Sequence, residues 1–173
     1  LISSLIPIAD SKRQFFITPS VQAGTGQFPE SEPKAIEGNS IFSLDEIRRG
    51  ERPAFFDDFP TAYAVLNLSL AIQSKVALER AGMTDGMNLF IEGGFRNNPD
   101  YVSLLASLFP DSSVLLTNIE EATALGGALI GKSCLEGVDL RSYANRFSIK
   151  TKLVERISFP GLDDYMNDFF SFL

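Results

Sequence analysis

Met87 to Gly94 reads Met-Asn-Leu-Phe-Ile-Glu-Gly-Gly, and Phe95-Arg96-Asn97-Asn98-Pro99 follows it. An apolar run that stops on two glycines, Gly93 and Gly94, lets a bulky ligand approach the main chain where no Cβ intervenes. Asn98, just ahead of Pro99, opens a helix whose first N–H groups lack helical partners and favour an anion or a polar group. Further on, Glu121-Ala122-Thr123-Ala124-Leu125-Gly126-Gly127-Ala128 is a helix of small residues. Strand, glycine turn, helix, strand and small-residue helix together make a nucleotide site, built where open α/β sheets bind ligands, at the carboxyl ends of buried parallel strands.

Each of these residues has a structural reading beside the chemical one. Gly93 and Gly94 serve either ligand approach or only a tight turn, and Asn98 serves nucleotide contact or an N-cap in front of Pro99. Arg96, between the glycines and the asparagines, could approach phosphate or stack on adenine, or simply occupy an exposed turn. Glu92 could orient a Mg2+-bound water or a ribose, but Mg2+ sites combine one or two carboxylates with phosphate oxygens and no second acid adjoins it. Glu121, three residues after Asn118, has the spacing of a capping box. Gly126 and Gly127 cost a helix about 1 kcal/mol each relative to Ala; close packing against a neighbouring element is the expected compensation.

The elements that would hold these residues can be read from apolar periodicity and punctuation. Gln14 to Thr18 is a short strand closed by Pro19, and Ser20 to Asn39, dense in glycine and proline, is an extended loop leading to a strand at Ser40 to Leu44. Thr61 to Ala81 is a helix: Asp57-Asp58 suits its positive start, Pro60 fits its first turn and Gly82 ends it. A second stripe of Leu68, Ala71, the Lys75 stem and Leu78 indicates that this helix is covered on more than one side. Met87 to Ile91 and Ser113 to Thr117 read as strands of a parallel sheet, the first buried on both faces, joined by a helix from Asn98 to about Leu108. Asp139 to Tyr143 reads as a short helix, Ser148 to Ile157 as strand or loop, and Leu162 to Phe172 as a terminal helix docked by Tyr165, Phe169, Phe170 and Phe172.

The Gly93-Gly94-x-x-x-Asn98 turn and the Glu121-Ala122-Thr123-Ala124-Leu125-Gly126 helix resemble the carboxy-terminal domain of the FGGY carbohydrate kinases. The resemblance runs over roughly residues 14 to 137 and is strongest from Phe90 to Gly131. It implies an α/β domain of the ribonuclease H-like, actin-like ATPase class, a mixed sheet of about five strands flanked by helices. It also implies a single domain over residues 1–173 that closes on an amino-terminal sugar-binding lobe, and ATP with Mg2+ as cofactors. The γ-phosphoryl acceptors of the family are xylulose, rhamnulose, fuculose and glycerol types. By match, Gly93 and Gly94 lie against ribose and phosphates, and Asn98, or Asn97 one residue earlier, touches the adenosine. The loop carrying Gly24-Thr25-Gly26 borders the sugar cleft, where turn chemistry alone is the competing reading. The family's catalytic aspartate and phosphate-gripping Gly-Thr hairpin match nothing in this sequence, which therefore reads as a carboxy-terminal half without a catalytic residue of its own. Homodimers are common in the family. Two positions depart from its pattern: Phe95 stands at the third place of the glycine turn, and Asp100-Tyr101-Val102-Ser103 replaces an aromatic-glutamine-aspartate pattern. A non-catalytic nucleotide-binding or interaction module of the same fold is the alternative.

Composition narrows the remaining classes. Of 173 residues 45% are hydrophobic and 21% charged, which supports a well-buried globular domain. A formal charge of −7 with scattered basic residues argues against a nucleic-acid surface. No run of apolar residues is long enough to span a bilayer, and Leu1 to Ala9 lacks the basic start of a signal peptide. The single cysteine, Cys134, reads as a buried or half-buried helix residue and fits a reducing, cytoplasmic setting. Walker A and GxGxxG patterns are missing, and with no histidine, catalytic triads and His-ligated zinc are excluded.

Overall fold

A computed structural model of the chain describes residues 15–19, 24–119, 121–158 and 160–173. Leu1 to Gln14, Ser20 to Ala23 and Glu120, which carry parts of the expected first strand, loop and helix start, lie outside the described residues. The class is the expected α/β, but among the described residues six strands form two sheets of three rather than one sheet of about five.

The first sheet is an antiparallel meander of β1 (Phe15–Thr18), β2 (Lys34–Glu37) and β3 (Ser40–Ser43). Here β2 corrects the reading of Ser20 to Asn39 as loop throughout. Glu37 faces Ser40 across a two-residue turn, Gly38-Asn39, in which Gly38 takes φ 60, the left-handed geometry that hairpin turns need. A short helix α1 (Leu44–Arg48) follows, held by a capping box: the Glu46 amide donates to Ser43 Oγ at 3.3 Å and the Ser43 amide to Glu46 Oε2 at 2.7 Å.

The long helix α2 (Phe59–Arg80) is the spine. Val65, Leu68, Ala71 and Ile72 are fully buried, and the stripe read from the sequence is covered as expected, with the Lys75 ammonium 4.6 Å from the centre of the Phe109 ring. Its buried polar residues are all paired. Ser69 Oγ donates to the Ile17 carbonyl of β1 at 2.6 Å, Gln73 donates to Ser69 Oγ at 3.1 Å, and Asn67 donates to the Tyr63 carbonyl at 2.8 Å. After Gly82, the Met83 amide closes the helix on the Leu78 carbonyl at 2.9 Å.

The second sheet holds β4 (Asn88–Ile91), β5 (Ser113–Thr117) and β6 (Thr151–Leu153), with β4 and β5 parallel and linked through α3 (Pro99–Ser107). β6 settles the ambiguous stretch as an antiparallel strand. Ile91 and Val114 enter the core with α2 and α3. On the opposite face Phe90, Leu115 and Leu153 stand side by side across the three strands, and Phe90 is 51% exposed. The expectation that β4 is buried on both faces is therefore corrected: as an edge strand it has helices over one face only, among the described residues.

Helix α4 (Ala122–Glu136) has no buried residue and ends on Gly137 in the left-handed conformation. Two expectations fail on it. A Cβ built at Gly126 or Gly127 would meet nothing within 4 Å, so close packing does not compensate for these glycines, and Cys134 is exposed. A 3-10 helix over Leu140–Arg146 follows, capped by Asp139. The terminal helix α5 (Leu162–Ser171) docks as read: Tyr165 stacks on Phe16 at 4.6 Å and its buried hydroxyl donates to the Phe15 carbonyl at 2.7 Å, while Phe169 and Phe170 meet Phe28 edge-on. Burial raises the Tyr165 phenol far above its ordinary pKa, so it acts as a neutral donor. Among the described residues no helix is long and apolar enough to cross a membrane.

Candidate nucleotide site

The carboxyl ends of β4 and β5 lie side by side, since Ile91 pairs with Leu116 in the parallel register. Each strand runs into a loop and then a helix. After β4 come Glu92, a 3-10 turn over Gly93–Asn97, Asn98 and α3; after β5 come Asn118, Ile119, Glu121 and α4. This edge carries Gly93, Gly94, Arg96, Asn97 and Asn98, the residues expected from the sequence to meet a ligand.

Gly93 and Gly94 have different reasons to be glycine. Gly93 sits at φ 67, a conformation that an L side chain rarely adopts, so the turn itself accounts for it. Gly94 has no left-handed φ, and a Cβ there would meet no atom within 4 Å. Both are exposed. The open side of this turn fits a group that must come close to bare main chain, as ribose and phosphate do.

Asn98 is the N-cap of α3. Its Oδ1 accepts from the Tyr101 amide at 3.1 Å, and its Nδ2 donates to Asn67 Oδ1 at 2.8 Å, fastening the start of α3 to the spine helix. Asn97 is exposed beside it. Arg96 is half-buried and donates to the Ile119 carbonyl at 3.1 Å, so it bridges the two loops instead of standing free in solvent. Phe95 leans on Tyr101 with ring centres 4.7 Å apart, and the Tyr101 hydroxyl donates to Ser74 Oγ at 2.8 Å. These two rings, with Leu78, Phe90 and Glu92, border an open groove of about 310 Å3.

Glu92 is committed to Thr117. The Thr117 hydroxyl donates to Glu92 Oε1, and the second carboxylate oxygen is buried without a hydrogen-bond partner. A ligand for Mg2+ needs an oxygen free to meet the ion; here one oxygen accepts from Thr117 and the other is buried. No group of three or more potential ligands occurs among the described residues, so this edge does not by itself fit a resident metal.

The capping box expected at Asn118 and Glu121 is not formed. Asn118 extends the β5–β6 pairing, its amide donating to the Lys150 carbonyl at 3.1 Å and its Oδ1 accepting from the Lys150 amide at 2.8 Å. The helix starts later, with Glu121 itself in the N-cap position and making no side-chain cap. Two stability effects should differ accordingly. Asn98→Ala is expected to lower unfolding free energy by about 0.5–2 kcal/mol, the range for a lost cap, and Glu121→Ala to change it by less than about 0.5 kcal/mol, both read from urea denaturation.

Gly24, Thr25 and Gly26 form an exposed turn between β1 and β2, on the connection of the other sheet. Gly24 and Gly26 take φ 75 and 73, so turn geometry explains both. Sequence reasoning missed Thr117 and Asn67. The signal for Thr117 was a hydroxyl closing the apolar run Val114-Leu115-Leu116, level with a carboxylate closing the neighbouring one; Asn67 carried none beyond being an amide on an apolar helix face.

Comparison with known proteins places the chain. It matches the family of carbohydrate kinase FGGY C-terminal domains over residues 8–138. Among solved structures it is similar to a carbohydrate kinase from Novosphingobium aromaticivorans, with a TM-score of 0.63 and 21% sequence identity over 98% of this chain. The chain spans 30% of the length of that kinase. At this identity the likeness establishes the actin-like ATPase fold. No curated protein matches the chain.

Proposed function

We propose, from the premise that this chain belongs to the carbohydrate kinase FGGY family as a C-terminal domain, that it is the ATP-binding part of a kinase transferring a γ-phosphoryl group to a sugar hydroxyl. The observation that carries the ATP reading is Gly94. It has neither a left-handed φ nor a neighbour that a side chain would strike, and its open surface lies at the carboxyl edge of two parallel strands. Gly126 and Gly127 leave a second bare surface on the helix after β5, equally unexplained by packing. Gly93 and Gly94 would lie along ribose and phosphates, and Asn97, exposed next to the capping Asn98, is the freer of the two asparagines to contact adenosine.

Mg2+ supplies charge neutralisation on the phosphate oxygens when the nucleotide is bound. The described residues offer it no cluster, so it would enter with ATP, its protein ligands coming from an amino-terminal lobe that also brings the sugar. A xylulose, rhamnulose, fuculose or glycerol type of acceptor, a cytoplasmic setting and a homodimer belong to the same reading. Gly24-Thr25-Gly26 is its candidate cleft turn.

Titrating the chain with ADP to millimolar concentration should shift NMR amide signals from Phe90 to Asn98 and from Ile119 to Gly127. A folded chain whose amides in both loops stay unmoved would remove the ATP reading. If both loops respond but no assembled kinase phosphorylates a sugar, the non-catalytic module becomes the better description; Phe95, 53% exposed at a turn position usually small, is the feature that favours it.

A further inference from the structure

The two loops at this edge are joined by a closed set of hydrogen bonds. Thr117 Oγ1 donates to Glu92 Oε1, the Ile119 amide donates back to Thr117 Oγ1 at 3.2 Å, and Arg96 donates to the Ile119 carbonyl at 3.1 Å. Glu92 and Arg96 flank Gly93-Gly94-Phe95 in sequence, and Thr117 and Ile119 belong to the other loop. Both ends of the glycine turn are thus tied to the segment that leads into α4. One hydroxyl works as donor and acceptor at once, which couples the contacts.

Stability alone is a poor reason for this arrangement. The second oxygen of Glu92 is buried with no partner, and a half-satisfied carboxylate costs more than an apolar residue of like shape would. A glycine pair, in turn, is the loosest stretch of main chain that a ligand-contacting loop can have, and ordering it on binding weakens affinity.

We propose that Glu92, Thr117 and Arg96 are positioning residues: together they clasp the Gly93-Gly94 turn to the entrance of α4, so that the two glycine-bare surfaces are presented to one adenine nucleotide in a fixed relation. The proposal rests on the ATP reading above. The clasp acts through the main chain and needs no contact between these side chains and the nucleotide. It also explains why Arg96, next to the glycine turn, spends a donor on the Ile119 carbonyl.

Thr117→Val keeps the side-chain shape and removes both hydrogen bonds, whereas Thr117→Ser keeps the hydroxyl. In the ligand-free chain, Thr117→Val should speed hydrogen exchange of the Gly93 to Asn98 amides, and ADP affinity measured by NMR titration should fall about tenfold or more. Thr117→Ser should stay within about twofold of the original affinity. Arg96→Met, which opens the same closed set from its other end, should weaken ADP about as much, and it carries the test if Thr117→Val does not fold. The double variant should bind about as weakly as either single one, because a clasp opened once is already open. Unchanged exchange and affinity in Thr117→Val, or losses that multiply in the double variant, would overturn the positioning role while leaving the ATP reading intact. An original chain that does not bind ADP at all would overturn both.

Discussion

Replacing Gly94 by valine should weaken ADP and ATP binding by about 10- to 100-fold, the penalty for forcing a branched side chain into occupied space, with the urea unfolding midpoint nearly unchanged. The two halves of this expectation come from one piece of geometry. A Cβ at Gly94 would meet nothing within 4 Å beyond its own turn, and the main chain there is not left-handed. Only a ligand against the turn would be displaced. The same substitution at Gly93 is a poorer probe, since its φ of 67 strains any branched residue and would mix a folding cost of about 1–3 kcal/mol into the binding loss. Nucleotide affinity by calorimetry and unfolding by urea, measured on the Gly94 variant, separate the two contributions. If affinity is unchanged, the turn is no ligand surface, and the glycine there is without explanation. If stability falls with affinity, the turn is packed more tightly than its open side indicates.

The path from sequence to this edge was open because each signal along it is local. Short, nearly continuous apolar runs marked β4 and β5, and Asn98 ahead of Pro99 marked the helix start, which the Tyr101 amide confirms at 3.1 Å. Where local chemistry had two outlets, reading it in one dimension chose wrongly. Asn118 has a cap residue's side chain, but it is spent on pairing with Lys150 across the sheet, a partner 32 residues away that no spacing rule reveals. The β2 strand was legible in principle: Gly38-Asn39 between Lys34-Ala35-Ile36-Glu37 and Ser40 is a two-residue hairpin turn. The glycines and prolines around it concealed the short alternating run.

Other features depend on tertiary arrangement and could not have been found that way. Apolar content made β4 look buried on both faces, yet burial is set by which helices cover a sheet, and the Phe90 face stays open. Likewise the glycines of α4 suggested close packing, whereas that helix buries nothing in the chain as described.

The largest effect expected is catalytic. Assayed alone, the 173-residue chain should release no ADP in response to xylulose, rhamnulose, fuculose or glycerol, and a protein joining it to an amino-terminal kinase lobe should do so for one of these classes. Phosphoryl transfer needs the acceptor hydroxyl held in line with the γ-phosphate and a carboxylate to take its proton. Orientation of two reactants is worth effective molarities of about 10⁵–10⁸ M, and a general base about 10²–10⁴-fold. Losing both puts turnover below detection. At the candidate edge Glu92 is poorly placed to serve as the base, because Thr117 donates to one oxygen and the other is buried. Glu121 is exposed at the start of α4 and makes no cap, so it is a carboxylate there that a sugar hydroxyl could reach. The experiment therefore carries a built-in check. Sugar-dependent ADP release by the chain alone, abolished in Glu121→Ala, would give the proton-accepting role to this carboxylate and refute the two-lobe reading. Release only by the joined protein, indifferent to Glu121→Ala and made to require far more ATP but little more sugar by Gly94→Val, would assign nucleotide holding to this chain and proton transfer to its partner lobe.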